Sequence, residues 1–168
     1  VRQAVAGQNI VHMATHGFFL PKEFDTALEP PWRGGLALQG ANSAISNGQV
    51  NDDGIAFAAE LSNWSFDKTD LVVLSACETA SGERSYVEGL RGIPAALAVS
   101  GSKRSLLALW SVPDEGAANF MKDFYTHLLE EGMTYENAFR ATKRNAISGK
   151  ISGAETPDVW QAFVMIRN

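Results

Sequence analysis

Residues 70–79 read DLVVLSACET, and they decide the fold of this chain of 168 residues. The stretch from 71 to 75 is a short, continuous apolar run that leads into a polar segment, which is the pattern of a parallel strand buried on both faces. It predicts a strand in the middle of a sheet. Residues 10–14 and 105–110 have a similar pattern and predict two more strands.

Helical patterns occupy the segments between and after these strands. Residues 89–100 carry apolar side chains at helical spacing, with Pro94 expected in the first turn. Residues 114–131 repeat apolar positions every four residues, and Thr134 is expected to cap a further helix. Within residues 114–131, His127 is expected to face solvent.

Strands that alternate with helices of this length predict an α/β fold with a mostly parallel sheet, because parallel neighbours need crossover connections. A last strand is expected over residues 162–166. Residues 21–54 hold many turn-forming residues and predict a long surface excursion with one short strand at 35–39. A short helix is expected over residues 55–63. We find no repeat or linker that would divide the chain into several domains.

Composition excludes several classes of protein. With 14 Lys and Arg against 19 Asp and Glu, the net charge of −5 provides no basic field for nucleic acid or an anionic membrane. The single cysteine, Cys77, cannot form an internal disulfide, so we expect a reducing, cytoplasmic environment. No apolar run approaches the roughly 20 residues that span a bilayer. The chain starts without Met, and we expect it to be cut from a longer protein.

His16 and Cys77 each follow a predicted strand. Because the carboxyl ends of parallel strands meet at one edge of a sheet, these two side chains are expected at the same edge. A thiol beside an imidazole is what cysteine-nucleophile catalysis requires, and the N–H of Gly17 could stabilise an oxyanion. Two alternatives stay open, namely Cys77 as a small core side chain and a zinc site of Cys77, His16 and a carboxylate. His12, inside the first strand, is expected to be structural.

Two segments resemble the signatures of a known family. VHMATHGFF at residues 11–19 and DLVVLSACETASG at residues 70–82 are similar to the motifs of the CHAT domain, a caspase-like cysteine peptidase module often fused to tetratricopeptide repeats. A Gln-Ala-Cys signature with an upstream His is the related caspase pattern. Further segments agree in the same order, among them GLALQGAN (35–42), EGLRGIPAALAVSGS (88–102) and LLALWSVPDEGA (106–117).

This resemblance implies a three-layer α-β-α caspase-like sandwich that lacks the first strand and helix of the family. Residues 1–168 would form a single CHAT domain in the C-terminal part of a longer multidomain protein. His16 would be the general base and Cys77 the nucleophile that forms a thioester with the substrate acyl group. The main-chain N–H groups of Gly17 and Cys77 would form the oxyanion hole. No metal or cofactor is implied.

The resemblance also implies where substrate and partners would bind. Ser75, two residues before the nucleophile, would point into the pocket for the residue that precedes the cut, and its neutral side chain selects neither a basic nor an acidic residue there. Trp110, Ser111 and Asp114 would be pocket walls, although Asp114 could instead cap its helix. The implied partners are a protein or peptide substrate and a regulatory domain or effector, such as tetratricopeptide repeats in the same chain. The alternative function is a non-catalytic, regulatory protein-binding module.

Overall fold

The computed structural model describes residues 1–19, 33–42, 54–76 and 85–168. The chain divides into two compact units, the first made of Val1–Leu106 with Ile166–Asn168 and the second of Leu107–Met165. Within the described residues, the sheet has six strands: β1 (Ile10–Phe19), β2 (Gly34–Ala37), β3 (Ile55–Phe57), β4 (Leu71–Ala76), β5 (Arg104–Ala108) and β6 (Phe163–Arg167). Their order across the sheet is β3-β2-β1-β4-β5-β6.

The predicted central strand is confirmed as β4. The side chains of Leu71, Val72 and Val73 are fully buried, although neighbours in a strand point to opposite faces of the sheet. Both faces of β4 are therefore covered, which explains why its sequence is continuously apolar instead of alternating.

Strand β1 is longer than its sequence pattern predicts. It pairs in parallel with β4 from Ile10↔Leu71 to Thr15↔Ala76. It then continues to Phe19 as the antiparallel partner of β2, starting at His16↔Ala37. The second partner supplies main-chain hydrogen bonds where the first ladder ends, so the strand can extend beyond the predicted residue 14.

Residues 55–63, for which we predicted a helix, begin with a strand instead. Residues Ile55–Phe57 form β3, antiparallel to β2, and only Ala58–Leu61 form the short helix α2. A three-residue apolar segment has no period that separates a strand from a helix, so the available sheet partner decides its structure. The predicted short strand at 35–39 is confirmed as β2, which begins one residue earlier and ends two residues earlier than predicted.

Gly35 explains how the three strands at this edge pack. It lies in register between Phe18 of β1 and Phe57 of β3. The two rings meet edge to face, with their centroids 5.6 Å apart. A Cβ on Gly35 would come within 2.8 Å of both Phe18 Cζ and the main-chain oxygen of Ala56. The missing side chain therefore makes the space that the Phe18 ring occupies.

Main-chain hydrogen bonds give the directions of the last two strands. The N–H of Lys103 donates to the carbonyl of Thr69 at 3.1 Å, so β5 starts beside the start of β4 and runs parallel to it. The N–H of Leu109 donates to Ala162 at 2.8 Å and that of Asn168 to Lys103 at 3.1 Å, which makes β6 antiparallel to β5. Strands β1, β3, β4 and β5 thus share one direction, and the mostly parallel α/β sheet is confirmed.

The remaining helices are α1 (Arg2–Val5), α3 (Ser85–Val99), α4 (Asp114–Tyr125), α5 (Tyr135–Ile147) and α6 (Pro157–Trp160). Helix α3 begins before the predicted residue 89, so the placement of Pro94 in a first turn is wrong: it lies inside the helix. Proline has no N–H, and α3 gives up one main-chain hydrogen bond there. The predicted cap at Thr134 is confirmed, because its Oγ1 accepts from the N–H of Asn137 at 3.4 Å.

The helix predicted over residues 114–131 is α-helical only as far as Tyr125. A π-helical turn follows over Thr126–Glu130, in which the N–H of Glu131 donates to the carbonyl of Thr126 at 3.1 Å. Turns of this kind are short and occur mostly as single insertions in α-helices. In the second unit, the rings of Phe120 and Phe163 stack at a centroid distance of 4.4 Å.

Candidate active site

The junction of β1 and β4 brings together the residues that precede the two predicted catalytic residues. The parallel register places Ala14 opposite Ser75 and, one residue later, Thr15 opposite Ala76. The next residues along the two strands are His16 and Cys77. Cys77 itself lies outside the described residues. The register therefore brings the residues before His16 and Cys77 to neighbouring positions, and the proximity of His16 and Cys77 themselves stays a prediction.

The sequence predicted that His16 follows the first strand, but His16 lies inside β1. It is the first residue to pair with β2, opposite Ala37, and its side chain is exposed to solvent. Gly17, the predicted oxyanion donor, is half-buried and opposite Leu36. The exposed imidazole is therefore carried on extended backbone that the β2 ladder holds.

The side chain of Thr15 links the two ladders of β1. Its Oγ1 donates a hydrogen bond to the carbonyl of Ala37, the residue that lies opposite His16. Its main chain lies opposite Ala76 of β4. Thr15 was not singled out from the sequence, since a threonine in a strand is an ordinary β-forming residue.

His12 lies on the same side of β1 as His16, because residues at even spacing in a strand share a face. Its ring is partly exposed, and desolvation of the remainder lowers the pKa of the imidazole below its usual value. His12 and His16 thus share a strand and a side of the sheet, and both residues are exposed.

The predicted substrate-pocket residues fall in both units. Ser75 belongs to the first unit, where it is half-buried in β4. Trp110, Ser111 and Asp114 belong to the second. The indole N–H of Trp110 donates to the carbonyl of Asp158 at 2.6 Å, and Ser111 is exposed.

Asp114 does not cap its helix. Pro113 occupies the N-cap position, and Asp114 is the first residue of α4. The ring of Pro113 fixes its φ angle at a value compatible with entry into a helix. The helix therefore begins at Asp114, one residue earlier than it would if Asp114 were the cap. From the first turn, the exposed Asp114 carboxylate still interacts favourably with the positive end of the helix dipole.

A second polar cluster surrounds His127, and the prediction that this side chain faces solvent is wrong. The side chain is only 14% exposed. Its Nδ1 lies 2.9 Å from Glu131 Oε2, and its Nε2 lies 3.3 Å from Asp123 Oδ2 and 3.1 Å from Asn145 Nδ2. The acids four residues before and after His127 are a sequence signal for these pairs, whereas the contact with α5 depends on tertiary packing.

Two other ionisable groups of the second unit have pKa values moved by burial. Burial lowers the pKa of Lys143, whose Nζ lies 5.1 Å from the centroid of the Phe139 ring and 5.9 Å from that of Trp160. Burial raises the pKa of Tyr125 to about 12. Both shifts disfavour the charged form in a partly apolar environment.

Among the described residues, no three His, Cys, Asp or Glu side chains lie close enough to hold a metal ion. The zinc alternative includes Cys77, which lies outside those residues, and stays a prediction. No helix in the described part of the chain has the length and apolar character needed to cross a membrane.

Comparison with known families identifies the chain as matching one of them over its whole length. The family model described as the CHAT domain matches residues 1–168, the whole chain. A search of curated protein sequences finds no match. The family match and the mostly parallel sheet together confirm the predicted caspase-like α/β sandwich.

Proposed function

Because the chain belongs to the CHAT domain family, a caspase-like group, we propose that it is a cysteine endopeptidase in which His16 and Cys77 form a catalytic dyad. The single observation that carries the proposal is the parallel register of β1 and β4. It ends at Thr15↔Ala76, immediately before the imidazole-bearing and the thiol-bearing residue. Parallel strands that advance together favour adjacent positions for the two residues that follow.

The proposed chemistry begins with proton transfer from the Cys77 thiol to the imidazole of His16. The thiolate attacks the carbonyl carbon of the substrate peptide bond, and the C–S bond forms as the carbonyl oxygen takes up negative charge. Main-chain N–H groups of Gly17 and Cys77 stabilise that charge. The tetrahedral intermediate then collapses to a thioester, and the imidazolium returns its proton to the departing amine.

Hydrolysis completes the cycle. The imidazole of His16 removes a proton from water as the water attacks the thioester carbonyl. The C–S bond breaks, the carboxylic acid product leaves, and the thiol is restored. No step needs a metal or an organic cofactor.

Substrate recognition is assigned to the sheet edge around the dyad. The half-buried hydroxyl of Ser75 would meet the side chain that precedes the cut, and it favours neither charge there. Trp110, Ser111 and Asp114, which the family resemblance implies as pocket walls, belong to the second unit, and their part in substrate binding stays a prediction. The substrate class is a protein or peptide, and a regulatory domain or effector protein, such as tetratricopeptide repeats in the same chain, would control access.

Active-site labelling and proteolysis test the dyad in the protein that carries this chain. We expect Cys77→Ala to abolish cleavage of the protein itself or of its partner, and His16→Ala to slow it by a factor of about 10² or more. His12→Ala is the matched control, since it removes another imidazole from the same face of β1, and it should retain activity.

The same experiment separates the alternative function. If Cys77→Ala leaves proteolysis unchanged, the peptidase proposal fails. If the folded protein, with its activating partner present, also leaves Cys77 unreactive toward peptide electrophiles, the chain acts as a regulatory protein-binding module. Circular dichroism of each variant distinguishes loss of activity from loss of folding.

A further inference from the structure

Thr15 is the residue at which β1 changes partners. Up to Thr15 the strand pairs with β4, and from His16 onward it pairs with β2. The two ladders lie on opposite edges of β1, so the peptide bond between Thr15 and His16 joins a segment anchored on one side to a segment anchored on the other.

The hydroxyl of Thr15 connects β1 to β2 at the residue where β1 changes partners. It donates to the carbonyl of Ala37, which faces His16 across the antiparallel ladder. Through its main chain, the same residue lies opposite Ala76, the residue before Cys77. One side chain thus ties the strand that carries the imidazole to β2 while its backbone stays paired with the strand that leads to the thiol.

We propose that Thr15 is a positioning residue for His16: the Thr15 hydroxyl fixes the rotation of β1 at the change of partner and so sets the direction of the His16 imidazole. This role rests on the proposed function for its catalytic consequence. Without the hydroxyl, the backbone at His16 is held by the β2 ladder alone, and a change of strand twist moves the imidazole. A misplacement of about 1 Å costs on the order of 10²-fold in rate when two reacting groups must align.

The test uses the reactivity of Cys77, which is the only cysteine of the chain, so that any thiol labelling of this chain reports on one site. Thr15→Val keeps the branched shape and removes only the hydroxyl, whereas Thr15→Ser keeps the hydroxyl and removes the methyl group. For wild type and both variants, the rate of alkylation by iodoacetamide is measured from pH 5 to 9. The His16 imidazole is titrated in parallel by NMR, and thermal unfolding is recorded.

We expect Thr15→Val to reduce the alkylation rate at neutral pH by about tenfold and to move the titration midpoint of His16, with unfolding shifted by only a few degrees. Thr15→Ser should restore the wild-type pH profile. A Thr15→Val profile that matches wild type overturns the proposal, as does a Thr15→Ser variant that behaves like Thr15→Val.

The variant His16→Ala distinguishes a failure of the Thr15 proposal from a failure of the proposed catalytic dyad. If removing the imidazole leaves the pH profile of Cys77 alkylation unchanged, the proposed dyad fails whatever Thr15 does. The positioning of His16 is then decided by NMR alone. A His16 titration midpoint that differs between wild type and Thr15→Val supports it, and an identical midpoint overturns it.

Discussion

Thr142 offers a sharp test of the packing of the second unit. It is fully buried in α5, and its Oγ1 makes no hydrogen bond with any group in the described part of the chain. A buried hydroxyl without a partner costs about 1–3 kcal/mol of stability, because the bonds it made with water in the unfolded state are not replaced. Valine has nearly the same shape and exchanges this hydroxyl for a methyl group.

We therefore expect Thr142→Val to stabilise the protein by about 1–2 kcal/mol. For a chain of this length, each kcal/mol raises the unfolding midpoint by about 2–4 °C, so the expected increase is roughly 2–8 °C. Differential scanning calorimetry gives the midpoint, and urea unfolding gives the free energy independently. In the urea experiment the slope should not change, since the area exposed on unfolding is almost the same.

Thr142→Ser is the matched control. It keeps the hydroxyl and removes the methyl group, and it should lower stability by about 1 kcal/mol through the lost apolar contact. The reasoning is refuted if Thr142→Val unfolds at the wild-type temperature or below it. That result would mean that the hydroxyl is bonded in the folded protein, as threonines in helices can be to the carbonyl four residues earlier.

Three further predictions concern other parts of the chain. Gly35→Ala should destabilise the protein by about 1–3 kcal/mol in urea unfolding, because its Cβ would lie 2.8 Å from the Ala56 carbonyl oxygen, and an unchanged midpoint would contradict the packing described for β2. Asn145→Ala should cost about 1–2 kcal/mol, since its amide donates to the Asp123 carboxylate at 3.2 Å, and wild-type stability in thermal unfolding would show that this contact is not formed in solution. Burial raises the pKa of Tyr125 to about 12, so near pH 10 the unfolded chain loses the phenolic proton while the folded protein retains it. The free energy of unfolding should therefore fall between pH 10 and 12 in wild type, and fall less in Tyr125→Phe. The absorbance at 295 nm of wild type minus that of Tyr125→Phe reports on this phenol, and a midpoint near pH 10 would disprove the shift.

The local sequence was sufficient to predict those strands and helix ends whose structure depends mainly on their own residues. The short apolar run of β4, followed by a polar segment, favours a strand covered on both faces. The Thr134 hydroxyl caps the start of α5 with a group only three residues away. The alternation of such elements was enough to predict the α/β class and the mostly parallel sheet. The sequence also nominated His16 and Cys77 as a catalytic pair, which stays a prediction; His16 lies inside β1 and not after it.

Tertiary structure decided the features that need a partner distant in the chain. Strand β1 continues past His16 because β2 lies beside it, and residues 55–57 form a strand because the ring of Phe57 packs against Phe18 over Gly35. His127 is largely shielded from solvent, and Asn145 contacts it from the next helix. In each case the residue's own pattern permits two structures. The choice depends on contacts between segments tens of residues apart, which no local period or turn signal can encode.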